Sequence, residues 1–441
     1  MKLAPARWRP LGRLIVFMMA LDGCGLVAGL GEPKKLGAAE SDAEAPLDGE
    51  APGPQALAVA LGAHHACAIV NPGPGSTDQG TVRCWGSNTG GELGSDPAKV
   101  GVTRQPLPVA FPSDFVGASA LALAAGYSCA ISNDGFLFCW GDVPGEDPSG
   151  IHRENPAPAY APSPVDLLEA KLAQVTGASL GAAGGCLIEA QSLVCWGGVA
   201  FLSGRDGGAD GGGAAVSEPG FESVAAGGAS ACAVAVIGSS PDAGSTDVEC
   251  WGDDTYGQCG GAVGGSVPDP SSVGLSTNVT QIVAGADFAC ALASDRTVSC
   301  WGNNDRGQLG PDAPAGPSAT PVPVRFSDGL TASALAAGDA HVCAVMTDPM
   351  ETVECWGDNS QGQLGVGPGG PSQSAATMKV QRATDGGSND LPHVEYIAAG
   401  GNTTCVVRFT DSHVSCWGAN ESGQAGQQGT APVVYATPVE W

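Results

Sequence analysis

Positive charge is scarce in this chain of 441 residues, where 18 lysines and arginines stand against 45 aspartates and glutamates. Such a balance repels nucleic-acid phosphates, so nucleic acid is excluded as a partner and the charge is read as serving solubility. Aromatic side chains are also few, with ten Phe, nine Trp and five Tyr. That supply argues against a broad aromatic face for sugars. Histidine occurs at only six positions, and the chain contains no phosphate-binding glycine loop, no nucleophile elbow and no carboxylate pair at a catalytic spacing. No motif therefore designates a catalytic residue, a cofactor or a metal. Long apolar runs are missing as well: Leu14 to Leu21 (L-I-V-F-M-M-A-L) falls short of the ~20 residues that a spanning helix requires.

What the chain does have is one pattern used seven times. A cysteine followed at once by Trp-Gly stands at Cys84-Trp85, Cys139-Trp140, Cys195-Trp196, Cys250-Trp251, Cys300-Trp301, Cys355-Trp356 and Cys416-Trp417, at intervals of 55, 56, 55, 50, 55 and 61 residues. Each is preceded by another cysteine: Cys67, Cys129, Cys186, Cys232, Cys290, Cys343 and Cys405. A period near 55 residues outweighs the length prior of two or three unrelated domains and indicates one large repeated body. The 68 glycines and 33 prolines mostly recur at fixed places in the repeat and read as turns.

The N-terminus bears on the compartment of these cysteines. Lys2, Arg7, Arg9 and Arg13 precede the apolar run, and L-D-G-C ends at Cys24. This is the build of a secretory signal over residues 1–23. It resembles the bacterial lipoprotein signal, which implies lipidation of Cys24; an ordinary cleaved signal or an uncleaved anchor is the other reading. Residues 24–56 are small, acidic and proline-containing, and read as a flexible tether. Removing residues 1–23, with four basic residues and Asp22, leaves 14 basic against 44 acidic, a balance of −30. Of the sixteen cysteines, Cys24 and the seven pairs leave only Cys259. A secreted chain with paired cysteines is best read as disulfide-bonded. Cys259 sits in G-Q-C-G where other repeats have Leu, so it reads as a buried small hydrophobe with a free thiol.

Strand alternation shows how each pair meets. In C-A-L-A-S-D-R-T-V-S-C, pairing Cys290 with Cys300 sets Ala291 against Ser299 and Leu292 against Val298 across a Ser-Asp-Arg turn. Opposed residues on antiparallel strands lie ~4.5 to 5.5 Å apart at Cα, within reach of a disulfide. Trp301 then faces away from the disulfide and is expected to pack toward the next blade, with Trp85, Trp140, Trp196, Trp251, Trp356 and Trp417 doing the same. Runs such as S-V-A-A-G, A-L-A-A-G and Y-I-A-A-G supply a small-residue inner strand, and T-P-V-P-V-R-F (Thr320 to Phe326) another strand after the turn. Three or four short strands per repeat, seven times over, describe an all-β, seven-bladed propeller across residues 57–441. The terminal A-T-P-V-E-W is expected to complete the first blade and so close a monomeric ring.

The pattern A-A-G-x-x-H-x-C-A-x, then D-G-x-V-x-C-W-G-x-N-x-x-G-Q-L-G, resembles the regulator-of-chromosome-condensation repeat. Gly307, Leu309 and Gly310, Gly362, Leu364 and Gly365, and Gly338 with His341 match it closely. The resemblance implies the seven-bladed propeller. The eukaryotic founder of that family is a nuclear nucleotide-exchange factor that binds chromatin, and secreted bacterial members include a β-lactamase inhibitor. Fold does not transmit function, and a secretion signal excludes the nuclear role.

Candidate chemistry is sparse. Of His64, His65, His152, His341, His393 and His413, only His65 and His341 share a repeat position, which favours a hydrogen-bonded structural role. Asp253, Asp254, Asn303, Asn304, Asp305, Asp358 and Asn359 after the W-G read as turn formers rather than calcium ligands, and Arg205 to Gly213 as a flexible loop. Two functional expectations follow. The first is an extracytoplasmic scaffold at the bacterial cell envelope, lipid-anchored or secreted, whose loops bind an unknown protein or envelope polymer. The second is a hydrolytic enzyme working at the central channel.

Overall fold

The computed structural model describes residues 55–71, 80–143, 151–153, 160–167, 170–171, 174–182, 184–197, 214–216, 220–237, 245–384 and 387–441. The signal segment, Cys24 and the Arg205 to Gly213 run lie outside the described residues.

Seven antiparallel sheets follow one another along the chain, each built from consecutive strands. The inner strands, which number the blades 1 to 7, are Gln55–Leu61, Ala118–Leu123, Val175–Leu180, Phe221–Ala226, Val279–Ala284, Ala332–Ala337 and Val394–Gly400. In blade 5 the inner strand is followed by Phe288–Ala293, Val298–Gly302 and the outer strand Ser318–Val324. Blade 2 carries additional strands at its outer edge, and a separate hairpin, Gln381–Thr384 with Gly387–Asp390, lies between the strands of blades 6 and 7. Among the described residues the one helical segment is the 3-10 turn Ser327–Gly329.

The second and third strands of every blade pair through their cysteines. Cys290 faces Cys300, Ala291 faces Ser299 and Leu292 faces Val298. Seven disulfides join these positions, with Cα separations of 4.0 to 4.1 Å. The short separation has a local cause. Ser87 N–H bonds to the His64 carbonyl, which makes that pair a hydrogen-bonded one and, by alternation, Ala66 with Trp85 another. Cys67 and Cys84 then fall on the closer, non-hydrogen-bonded pair.

The blades pack through mixed apolar layers. One layer combines Val283, Leu292 and Leu309 of blade 5 with Leu335, Val342 and Trp356 of blade 6, all buried. Gln281 crosses this boundary: its amide donates to the Leu335 carbonyl at 2.8 Å and accepts from the Leu335 N–H at 2.9 Å.

Ring closure differs from the sequence expectation. The strand Val433–Pro438 pairs with Val414–Gly418 inside blade 7, and blade 1 already owns an outer strand, Val102–Pro108. The reason is that T-P-V belongs to the outer strand of its own repeat, and V-T-R-Q-P-L-P fills that role in blade 1. The ring closes by side-chain packing instead. Trp441 lies edge-on to Trp85 with centroids 6.2 Å apart, and Ala56 N–H bonds to the Ser412 carbonyl at 3.0 Å. Gln55 and Ala56, expected in the tether, pair with Asn71 and Val70, so the sheet starts two residues earlier than the sequence boundary.

The glycine of A-A-G is explained by the neighbouring blade. A Cβ built on Gly181 would lie 2.0 Å from the Gly227 carbonyl oxygen, on Gly227 2.4 Å from that of Gly285, and on Gly338 2.6 Å from that of Gly401. The inner strands converge so tightly at this end that six of the seven blades carry glycine here, with Ala124 in blade 2 as the exception. Gly338→Ala is expected to lower the unfolding free energy by about 1 to 3 kcal/mol, because the new methyl also meets His341. Gly101→Ala, with nothing within 4 Å of its Cβ, is expected to change it by less than about 0.5 kcal/mol. Urea unfolding of both variants checks this, and equal effects would remove the close-approach explanation.

Candidate functional site: the loop face and the central channel

At the end of the ring where the inner strands stop, the third strand of each blade passes through Trp-Gly into a loop. The glycine here is fixed by conformation, with φ of +106° at Gly302 and +102° at Gly357. The loops that follow in blades 1, 4, 5, 6 and 7 share one set of hydrogen bonds. The Asn or Asp three residues after Trp accepts from the backbone N–H five residues on: Asn88 from Leu93, Asp254 from Cys259, Asn304 from Leu309, Asn359 from Leu364 and Asn420 from Ala425. Its amide, where it is Asn, reaches the far arm of the loop, as Asn304 to the Pro314 carbonyl at 2.8 Å. The Gln of G-Q-L-G turns back to accept from the N–H two residues earlier, as Gln308 from Arg306 at 2.8 Å and Gln363 from Gln361 at 2.7 Å. Asx-type turns of this kind leave these Asn and Asp groups occupied.

Each loop is also bolted to the following blade. The indole N–H of Trp301 donates to the Gln258 carbonyl, Trp356 to Gln308, Trp417 to Gln363, Trp140 to Glu92 and Trp85 to Gln424, all at 2.8 to 2.9 Å. Trp301 was expected to pack toward the next blade; it reaches back to the preceding one. The reversal arises because the loop of each blade extends over the third strand of its successor. Trp196 and Trp251 are buried at the same strand position. Sequence reading missed this use of Gln, whose signal was its recurrence two residues before the closing glycine.

Between these fixed points the loops present variable side chains. Thr89 and Gly90, Thr255 and Tyr256, Asp305 and Arg306, Ser360 and Gln361, and Glu421 and Ser422 occupy equivalent positions. Cys259, at the leucine position, is buried, and its thiol lies 3.3 Å from the Asp253 carbonyl. Burial, with Asp254 and Asp253 beside it, pushes that thiol far up, so it is inert.

The channel at the ring axis encloses about 310 Å³ near this face and is lined by the ends of the inner strands. Its lining is almost wholly Ala, Gly, Leu and Val, and Asp339 is the only ionisable residue in it. A hydrolytic site has no acid–base pair among these residues. A row of backbone bonds runs along the blade 4 to 7 side of the mouth: Gly228 N–H to the Ala286 carbonyl, Ala286 to Asp339 and Asp339 to Gly401, at 2.8 to 3.0 Å.

The histidines do not assemble into a site. His64 is exposed 3.9 Å from Glu421, His413 lies 3.7 Å from Asp411, and His152 and His393 stand on separate segments. His65 and His341 are fully buried, and their Nε2 atoms lie 2.7 Å from Ser128 Oγ and 2.8 Å from Thr404 Oγ1 of the next blade. Burial depresses His65 to about 3, with His64 adding to the effect. Burial likewise depresses His341 to about 4 against an opposing pull from Asp358. The unfolded chain takes up a proton near pH 6.5 that the folded chain refuses, so stability is full above pH 6.5 and is lost as pH falls toward 4. For each histidine the loss at pH 5 is about 2 kcal/mol. His341→Phe, which copies Phe288 of blade 5, is expected to halve the histidine-dependent loss between pH 7.5 and 5 in urea unfolding. An unchanged difference would show that His341 already carries its proton in the fold.

Comparison with known proteins places these observations. The model of the regulator-of-chromosome-condensation repeat matches residues 279–308, 394–424 and 297–345. Human probable E3 ubiquitin-protein ligase HERC6 is 35% identical over 153 residues, covering 34% of this chain and 14% of that protein. The ultraviolet-B receptor UVR8 of Arabidopsis thaliana is 30% identical over 186 residues, covering 41% of this chain and 40% of the receptor. The chain thus matches well under half the length of either relative. Among solved structures, Prp20p of Saccharomyces cerevisiae, described with its binding to Gsp1p and histones, superposes with a TM-score of 0.66 at 18% identity, over 81% of this chain and 85% of that one. Human WBSCR16 superposes with a TM-score of 0.65 at 20% identity, over 81% and 93%. The seven sheets and these matches identify the chain as a seven-bladed β-propeller that carries regulator-of-chromosome-condensation repeats over residues 279–345 and 394–424.

Proposed function

We propose that this propeller is an extracytoplasmic binding scaffold, tethered to a bacterial envelope membrane through lipid on Cys24, that engages a protein partner on its loop face. The observation carrying this reading is the loop set itself. Five loops share one hydrogen-bonded frame and one indole anchor, yet differ at the two residues between Asn or Asp and G-Q-L-G. A rigid frame bearing varied side chains lowers the entropic cost of ordering a surface on binding. The relatives support a protein partner, since Prp20p is described with Gsp1p and histones. The acidic balance directs the choice toward a basic or neutral protein rather than a nucleic acid.

The compartment follows from redox chemistry. Seven disulfides in one chain require an oxidising environment to form and persist. The basic and apolar N-terminus leading to L-D-G-C supplies the route outward and the anchor.

Two measurements test the reading. Protein from native envelopes is expected to carry lipid at an N-terminal Cys24 with Cys259 as its one free thiol, and Cys24→Ser is expected to release it from the membrane fraction. Photo-crosslinking residues at Tyr256, Arg306 and Gln361 are expected to capture the same protein, while one at Phe409 on the opposite face captures none. Reduced cysteines in a soluble pool would overturn the compartment, and crosslinks without a common product would overturn the scaffold.

A further inference from the structure

The channel departs from sevenfold symmetry in a chemically specific way. At the inner-strand position just before the close-contact residue, blades 1 to 3 carry Leu61, Leu123 and Leu180, while blades 4 to 7 carry Ala226, Ala284, Ala337 and Ala399. The leucines line their side of the throat and pack into the core between blades. The alanines present only a methyl, so the walls of the volume of about 310 Å³ differ between its two sides.

The rim above the alanine side is acidic. Asp339 lines the hollow, held by its own N–H on the Gly401 carbonyl at 2.8 Å and by Ala286 N–H on its carbonyl at 3.0 Å. Asp287 stands at the next position on the preceding blade. Loss of hydration at the rim pushes both carboxyls above the usual range; Asp253, Asp339 and Asp305 add their repulsion at Asp287 while Asn303 opposes it, and His64 opposes the rise at Asp339. Two basic groups near this rim are engaged elsewhere: Arg306 faces Asp358 at 4.0 Å and His64 faces Glu421 at 3.9 Å. Like charges gathered beside the hollow, with only His64 pulling the other way at Asp339, favour the arrival of a further cation.

We propose that the hollow receives a lysine side chain presented by the protein partner, with its four-carbon stem between the leucine and alanine walls and its ammonium at Asp339 beside Asp287. This rests on the scaffold reading above and names the chemistry of one contact. Lysine fits better than arginine on two grounds. Its compact ammonium needs only a point contact with one carboxylate, whereas a guanidinium calls for a flat bidentate partner. Its stem is apolar and unbranched, matching walls whose side chains are mostly alanine and leucine.

The test uses the whole propeller and four blocked pentapeptides, Gly-Gly-X-Gly-Gly, in which X is lysine, arginine, norleucine or Nε-acetyl-lysine. With alanine methyls labelled, the lysine peptide is expected to shift Ala337 and Ala399 in a saturable titration, and acetyl-lysine and norleucine to bind at least tenfold more weakly. Asp339→Asn is expected to weaken the lysine peptide at least tenfold with the melting temperature preserved. Ala337→Leu, which extends the leucine wall, is expected to block the alanine shifts while rim charge is unchanged. Equal binding of lysine and norleucine, or a lysine response confined to the rim and insensitive to Ala337→Leu, would overturn the proposal. In that event persistent crosslinks at Tyr256 and Arg306 would leave the scaffold standing, and their loss would remove both.

Discussion

Five of the seven blades of this ring, 1, 2, 5, 6 and 7, are held to the preceding blade by a buried indole N–H bonded to a main-chain carbonyl, and most of the loop face is organised around that contact. A buried donor without a partner costs about 1 to 3 kcal/mol, so the carbonyl of Gln258, Gln308 or Gln363 has to be held where the indole can reach it. The Gln side chain folds back on its own loop, and the Asn after W-G clamps the loop from the other side. What reads in the sequence as a string of turn formers is, in the fold, the support for one hydrogen bond. That support also makes the loops rigid enough to display different residues on a constant frame.

The disulfides perform a separate task. All seven cross between the second and third strands of a single blade, and none joins one blade to another. In the loop-entropy model, closure of a loop of ~15 residues contributes about 3 kcal/mol, and a hairpin already held by its ladder gains less. The staples therefore secure the hairpins, while the indole bonds, the glycine contacts at the axis and the apolar layers hold the ring. The contact of Trp441 with Trp85 belongs to the second group and, with the Trp85 indole bond to Gln424 and the Ala56 bond to Ser412, replaces the closure that a shared strand was expected to supply.

The axis illustrates how a repeat becomes a particular protein. Glycine is required at Gly181, Gly227 and Gly338 because the next backbone passes within ordinary contact distance of the missing Cβ. One residue earlier the constraint relaxes, and there the chain uses leucine on three blades and alanine on four. The throat is shaped at the position where packing leaves a choice, and Asp339 stands at its lip.

Much of this was legible in the residues. Period, strand alternation and the interval between Cys290 and Cys300 determine the number of blades, the register of each hairpin and the cysteines that meet, because antiparallel pairing is local and its side-chain period is two. The structural role of His341 was also readable, since Phe288 fills the same place. The direction of Trp301, the owner of the strand Val433–Pro438 and the company of Asp339 were not. The first and last depend on which element of a neighbouring blade lies across the boundary, and the strand's owner on whether blade 1 has an outer strand of its own, none of which the repeat pattern specifies. The sequence by itself determined the blade; only the closed ring decided what each blade leans on and what its axis can hold, because those follow from how seven units converge.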